Sequence, residues 1–118
     1  MRERVGSTLP DRLGHQVVDI VVDRGYRPDR IQARAGVPIR LVFHRPDSDP
    51  CFERVVFSAP RLDRYLSESD VTVVDLPGQA PGEVRFTCGL GRYRGRIEIS
   101  NANARSVVAA IRRTVGRV

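Results

Sequence analysis

The sequence of 118 residues has no tryptophan and no lysine, and it holds only two cysteines, two histidines and a single methionine, Met1. No apolar run approaches the roughly 18 residues that a membrane-spanning helix requires. Residues 1–16 carry charge but no apolar stretch of the secretory type, so a chain that starts naturally at Met1 is expected in the cytoplasm. Ser/His/Asp sets, phosphate-binding loops and HExxH motifs are also missing, and we do not expect an enzyme.

The positive charge of the chain comes entirely from arginine. Twenty arginines against fourteen acidic residues give a formal net charge of +6. An acidic partner, such as nucleic acid or an anionic membrane surface, is one interpretation. The arginines are spread along the whole chain, however, as the codon usage of a GC-rich genome would produce. Aromatic residues make up only 6%, which supplies few stacking surfaces, so nucleic-acid binding is not expected.

Short runs rich in Val, Ile and Phe occupy residues 16–100, and several alternate apolar with polar side chains. This alternation is typical of half-buried strands, and Pro- and Gly-containing turns separate the runs. Strands with turns at this spacing predict an all-β domain, a sandwich or a barrel of about seven strands. The predicted strands are 16–22, 30–34, 39–45, 53–58, 71–76, 83–88 and 94–100.

Two segments do not follow the strand pattern. Residues 59–70 lack alternation and predict a loop with a helical turn. Residues 101–118 repeat apolar side chains every three to four positions, which predicts an amphipathic C-terminal helix that packs on the domain, or on a partner or anionic membrane surface. We therefore divide the chain into an N-terminal extension (1–15), a β-domain (16–100) and this helix (101–118). The apolar stripe of the helix is Ala104, Val108, Ile111, Val115 and Val118, with Arg105, Arg112, Arg113 and Arg117 near its polar side.

Each cysteine stands beside a predicted strand. Cys88 ends strand 83–88, shares its core-facing side with Phe86, and is followed by a glycine-containing turn. Cys51 opens the segment 51–57. If residues 53–57 are extended, Glu53 lies on the same side as the apolar positions and points inward or to the rim, where a carboxylate needs a cation or a donor.

Four segments together resemble the cupredoxin-like family, in particular a bacterial plastocyanin/azurin-like branch associated with copper handling. They are 26–31, 35–43, 51–57, and 81–89 with Arg94 and Gly95. The resemblance implies a Greek-key β-sandwich, a bound copper ion with Cys51, Glu53 and Cys88 as its ligands, and a copper-transporting ATPase or another protein as partner.

The turn after Cys88 departs from this branch, which usually has methionines two and four residues further on; here these positions are Leu90 and Arg92. A blue-copper centre needs two histidines and a cysteine, usually with a methionine, and the motif residues do not supply them. We therefore expect copper binding or transfer rather than electron transfer. Two thiolates and a carboxylate also suit zinc.

The residues leave three states open for the cysteine pair: a shared metal site, a disulfide, or two reduced and buried thiols. Glu53 could instead pair with Arg92, which would replace a metal site by a structural ion pair. The chain would then be a degenerate cupredoxin without metal, acting as an interaction module through its arginine-rich surface and tail.

Overall fold

The computed structural model describes residues 5–10 and 14–101, which form eleven β-strands and one 3-10 helix, Pro50–Glu53. None of the described residues forms a helix with the length and apolar character needed to cross a membrane. The strands are β1 (Val5–Ser7), β2 (Leu9–Pro10), β3 (Gln16–Val22), β4 (Tyr26–Arg27), β5 (Arg30–Arg34), β6 (Ile39–Arg45), β7 (Arg54–Ser58), β8 (Arg61–Tyr65), β9 (Asp70–Leu76), β10 (Gly82–Cys88) and β11 (Arg94–Ser100).

The strands form two sheets that pack as a sandwich. The first sheet has the order β1-β5-β11-β10-β7-β8, and the second has the order β2-β3-β6-β9, with β4 also paired to β3. β5 lies parallel to β1 and β11, and β3 lies parallel to β6, whereas the other pairs are antiparallel. The chain crosses repeatedly between the sheets, so strands that are distant in sequence become neighbours.

The alternation seen in the sequence sets which side of each strand is buried. In β6 the side chains of Ile39, Leu41 and Phe43 are fully buried, while the residues between them are only partly covered. All seven predicted runs are strands in the structure, from β3 to β11. The prediction of an all-β domain is therefore confirmed, as a sandwich of eleven described strands rather than about seven.

The segment 59–70 corrects one expectation, because it contains strand β8 where we predicted a loop with a helical turn. β8 pairs antiparallel with β7 along its whole length and forms the edge of the first sheet. Only Leu62, which lies opposite Phe57, is partly buried, and the other four residues are exposed. An edge strand that buries so little does not require alternating apolar residues, and its sequence therefore lacks the pattern that predicts a strand.

Both ends of the chain lie outside the seven predicted strands. β1 and β2 fall within residues 1–15, the stretch expected to precede the domain, and they pair with β5 and β3 respectively. The predicted C-terminal helix falls outside the described residues, apart from Asn101.

A cluster of aromatic rings fills the sandwich. Tyr26 meets Phe86 edge to face at 5.0 Å between ring centroids and meets Phe52 at 5.7 Å, and Phe86 also packs on Phe57 at 5.4 Å. All four rings are buried. Since Phe52 directly follows Cys51, the cluster fixes one end of the sandwich to its centre.

Gly95 allows the ring of Phe86 to lie across β11, because these two residues are cross-strand partners. A β-carbon on Gly95 would overlap this ring, lying 2.6 Å from Cε2. We expect Gly95→Ala to lower the free energy of unfolding by about 1–3 kcal/mol, the usual effect of overpacking. Urea denaturation measures the change. Gly89→Ala is the control, since its β-carbon would come no closer than 3.5 Å to any other residue's atoms; equal losses in both variants would contradict the packing argument.

Tyr26 is buried with a hydroxyl that has no hydrogen-bond partner among the described residues. Burial raises the pKa of this phenol far above its usual value near 10.0. Ionisation of this phenol therefore does not affect the free energy of unfolding below pH 10. As the pH rises further the folded state loses stability, because only the unfolded chain then releases the proton. We expect Tyr26→Phe to be more stable by about 1 kcal/mol at neutral pH.

The pH dependence gives this prediction its signature. Urea midpoints measured from pH 8 to pH 11 should fall more steeply for the wild type, so that the advantage of Tyr26→Phe grows by about 1.4 kcal/mol at pH 11. Tyr65→Phe is the control, because Tyr65 is 62% exposed. If the urea midpoints of the wild type and Tyr26→Phe fell equally with pH, the pH dependence could not be assigned to the buried phenol of Tyr26.

Candidate metal centre

The fold brings the two cysteines, 37 residues apart in the chain, to one end of the sandwich. Cys51 lies in the 3-10 helix that leads into β7, and Cys88 is the last residue of β10, opposite Val55 of β7. Their Cα atoms are 5.5 Å apart, the two sulfurs are joined as a disulfide, and both residues are buried. Of the three states that the sequence leaves open, the structure therefore contains the disulfide.

The turn after β10 wraps around the sulfur of Cys88. The backbone N–H groups of Arg92 and Tyr93 point at Cys88 Sγ, with N···S distances of 3.2 and 3.4 Å. The N–H of Cys88 donates to the carbonyl of Tyr93, and its own carbonyl accepts from Gly91. Two N–H dipoles directed at one sulfur favour negative charge there, so this turn is suited to hold a thiolate once the disulfide is reduced.

Asp49 fixes the segment that carries Cys51. It caps the 3-10 helix: Oδ1 accepts from the N–H of Cys51 at 2.9 Å, and its carbonyl accepts from the N–H of Phe52 at 2.9 Å. The carbonyl of Cys51 in turn accepts from the N–H of Gly89 at 2.9 Å. The two cysteine-bearing segments are therefore joined by a backbone hydrogen bond as well as through their sulfurs.

Arg45 supports this arrangement from inside the protein. Its side chain is buried, with 3% of the residue exposed, and its guanidinium donates to three backbone carbonyls. These are the carbonyls of Asp47 at 2.9 Å, Leu66 at 2.8 Å and Asp49 at 3.1 Å. One side chain thus binds three backbone carbonyls, one of which, that of Asp49, also accepts from the N–H of Phe52, so Arg45 positions the loop before Cys51.

Asp47 tightens the same loop. Its carboxylate accepts from the N–H of Asp49 at 2.9 Å and from the N–H of Arg24 at 2.8 Å. These two backbone hydrogen bonds, helped by the charges of Arg45 and Arg24, hold the pKa of the Asp47 carboxyl below its usual value. The loop is therefore held by a carboxylate on its outer side and by a guanidinium on its inner side.

Sequence reasoning missed Arg45 and Asp49, although each left a signal. Arg45 occupies an inward position in the alternation of β6, where a charge is unusual. Asp49 precedes a proline, which is the signature of a capped helical turn.

The inward or rim position expected for Glu53 needs correction, and the Glu53–Arg92 pair that the sequence left open as an alternative is not formed. Glu53 ends the 3-10 helix and is exposed rather than inward, and its carboxylate forms no ion pair with any described residue. Arg92 pairs with Asp49 instead of Glu53, at 3.1 Å, and its guanidinium lies 5.8 Å from the centre of the Tyr93 ring. Tyr93 is stacked on Phe52, with the ring centroids 4.9 Å apart.

Neither histidine stands beside the sulfur pair. His44 is on the outer face of the second sheet, where Nε2 lies 3.0 Å from Asp19 Oδ1. His15 directly precedes Gln16, which pairs with Ile39 at the opposite end of β6 from Arg45. In residues 5–10 and 14–101, with the cysteines joined, no three His, Cys, Asp or Glu side chains are grouped to hold a metal ion. A centre at this pole would depend on the two freed sulfurs and on Glu53 turning toward them.

The chain was compared with known proteins. Residues 7–99 match the cupredoxin-like domain, and curated proteins give no match. Among solved structures, a copper binding protein in the apo form has 29% identity and a TM-score of 0.74, covering 80% of this chain and 95% of that one. The metal binding domain of the Cu(I) exporting P-type ATPase CopA of Streptococcus pneumoniae D39 has 22% identity and a TM-score of 0.78, covering 86% and 100%.

A third solved structure is less similar. Auracyanin from Roseiflexus castenholzii has 12% identity and a TM-score of 0.57, covering 71% of this chain and 96% of that one. The match over residues 7–99 agrees with the two-sheet sandwich. The chain belongs to the cupredoxin-like domain family.

Proposed function

We propose that the reduced protein binds one copper ion, as Cu(I), through Cys51 and Cys88, with Glu53 as a third ligand. The observation that carries the proposal is the meeting of the two sulfurs at one pole, each on a segment held by hydrogen bonds to the other. Two sulfurs close enough to bond to each other are also close enough, once reduced, to share one ion, since thiolate–metal bonds are about 2.3 Å long.

The chemistry of the ligands favours a soft ion. Thiolates select Cu(I) among the metals of the cell, although Zn(II) is also bound by cysteine and carboxylate. The similarity to a copper binding protein and to the metal binding domain of a Cu(I) exporter supports copper as the cargo. Copper transfer to a transporting ATPase or another protein, rather than electron transfer, is the proposed role, because neither histidine lies at this pole.

The turn of residues 89–92 is the side from which an ion would reach the sulfurs. Leu90 and Gly91 are exposed, and Leu90 is 73% exposed at the tip of the turn. Glu53 is exposed two residues after Cys51, and in this proposal its carboxylate turns toward the incoming ion. The exposed leucine also offers an apolar contact to a protein that exchanges copper at this pole.

A second candidate function is that of an interaction module without metal, in which the disulfide is purely structural. Two observations favour it: the sulfurs are joined, and Arg92 is paired with Asp49 where the family usually has a methionine. The arginine-rich surface would then be the functional feature. Metal titration separates the two candidates, because only the first requires free thiols.

The first prediction of this proposal concerns the ligands. We expect the fully reduced wild type to bind one equivalent of Cu(I) in competition with a chromophoric Cu(I) chelator. Cys51→Ser and Cys88→Ser should each weaken binding by roughly 100-fold or more, about 2.7 kcal/mol, because a hydroxyl is a poor ligand for a soft ion. Glu53→Gln should weaken it less, by roughly tenfold.

His44→Gln is the matched control, because His44 lies on the outer face of the second sheet and should leave the affinity unchanged. Near-ultraviolet circular dichroism of each variant checks that the aromatic cluster is still packed. Wild-type affinity in both serine variants would defeat the ligand assignment. Absence of stoichiometric Cu(I) binding by the reduced wild type would favour the interaction module.

The second prediction concerns the oxidation state. Formation of the disulfide and binding of Cu(I) need the same two sulfurs, so the two states exclude each other. Protein oxidised with diamide and desalted should bind no Cu(I), and binding should return after reduction with a phosphine, which converts the disulfide to two thiols. One equivalent of Cu(I) should also protect both thiols from alkylation by iodoacetamide, as counted by mass spectrometry. Equal Cu(I) affinity before and after reduction would mean that other groups hold the ion.

A further inference from the structure

One ion pair bridges the two segments that carry the cysteines. The carboxylate of Asp49, in the loop before Cys51, accepts from Nη2 of Arg92 at 3.1 Å through Oδ2 and at 3.3 Å through Oδ1. Arg92 belongs to the turn after Cys88. Within the described part of the chain no second ion pair joins these two segments, so this pair is their charged link at the pole where the sulfurs meet.

Each partner of this ion pair is also tied to a cysteine through the backbone. Asp49 Oδ1 accepts from the N–H of Cys51 at 2.9 Å, so the same carboxylate holds both segments. The N–H of Arg92 points at Cys88 Sγ, with an N···S distance of 3.2 Å. If the ion pair opens and the turn moves away, this N–H leaves the sulfur as well. The ion pair and the surroundings of Cys88 Sγ are therefore coupled.

The ion pair is exposed to solvent, whereas its neighbours at this pole are covered. The side chains of Arg92 and Asp49 are 56% and 30% exposed. By contrast, the ring of Phe52 that stacks on Tyr93 is buried, and so are both cysteines. An exposed ion pair adds little stability and is weakened by salt. It is therefore the link between the segments that another molecule can reach and open.

The guanidinium of Arg92 has donors left for such a molecule. Only its Nη2 is hydrogen-bonded to Asp49, and its Nε and Nη1 have no acceptor among the described residues. A guanidinium presents five N–H donors in a fork that matches a carboxylate. A second carboxylate that approaches from solvent can therefore bind Arg92 and compete with Asp49, which a neutral side chain does far less well.

Transfer of a bound ion requires movement at this pole. Cys51 and Cys88 are both buried, so an acceptor cannot reach an ion between them while the two segments stay together. The turn after Cys88 has to move away from the loop before Cys51, and the ion pair opposes that movement. Opening of the pair therefore precedes exchange of the ion.

We propose that the Asp49–Arg92 pair is a latch that keeps the cysteine-bearing segments together, and that the copper acceptor opens it with a carboxylate of its own. This inference rests on the proposed copper binding and adds the kind of partner, a protein with acidic side chains beside its own metal ligands. Asp49 is a positioning residue, because it acts through Arg92 and the turn rather than as a ligand.

Transfer of Cu(I) from the loaded, reduced protein to two synthetic dithiol peptides tests the latch. The peptides differ only in carrying glutamates or glutamines around their cysteines. In the wild type, transfer to the glutamate peptide should be roughly threefold faster, the effect of one exposed ion pair, and added salt should remove the difference. In Arg92→Gln both peptides should receive copper at the same rate.

Asp49→Asn separates the ion pair from the helix cap, because the amide oxygen of asparagine can still accept from the N–H of Cys51. This variant should speed transfer to the glutamine peptide by roughly threefold. Arg94→Gln is the matched control, since Arg94 is an exposed arginine two residues further on that forms no ion pair with any described residue. It removes the same charge and should keep the preference for the glutamate peptide.

Alkylation of the reduced, metal-free protein by iodoacetamide measures the latch without copper. Both thiols are buried and react only when the segments open, so Asp49→Asn should react roughly threefold faster than the wild type. Equal alkylation rates in these two proteins would overturn the latch, as would a preference for the glutamate peptide that persists in Arg92→Gln. If the wild type bound no Cu(I) while the alkylation rates still differed, the latch would stand and the copper proposal would fail.

Discussion

The pairing of β10 with β7 is the constraint on which the candidate site depends. This antiparallel register sets Cys88 opposite Val55, four residues after Cys51, and the 3-10 helix between β6 and β7 folds Cys51 back over the end of β10. A slip of one residue would turn Cys88 toward solvent and Thr87 toward the core. The buried rings of Phe57 and Phe86, which are cross-strand partners in the same pair, make that slip unfavourable.

The loop before Cys51 extends this constraint with polar contacts. Arg45 reaches from the core to three carbonyls, and Asp49 caps the helix and pairs with Arg92 of the opposite turn. A buried guanidinium is expensive unless its donors are used, so Arg45 and the carbonyls it satisfies stabilise each other. The stacking of Phe52 on Tyr93 adds an apolar contact between the same two segments. Both cysteine segments are therefore positioned before any chemistry at sulfur begins.

The sequence allowed the sandwich to be predicted because its buried strands alternate, and alternation is a property of the chain itself. β6 shows this most clearly, with Ile39, Leu41 and Phe43 inside. The edge strand β8 was missed because it buries almost nothing, and β1, β2 and β4 are too short to show a period. Glu53 was misplaced because a helical turn, rather than an extended strand, precedes β7. The role of Arg45 could not be predicted, because the carbonyls that it binds are brought around it only by the fold.

Arg92 stands where the branch that the sequence resembles usually has a methionine, and its charge fits the proposed ligand set. Cu(I) held by two thiolates carries a net negative charge, and a carboxylate from Glu53 would add to it. A guanidinium beside such a complex is attracted rather than repelled, whereas it would oppose a bare cation or a site of neutral ligands. The guanidinium of Arg92 is paired with Asp49 at 3.1 Å and is half exposed, while the backbone N–H of the same residue points at Cys88 Sγ. A turn with Leu90 and Arg92 in place of thioether ligands is therefore consistent with a site in which thiolates are the only soft ligands.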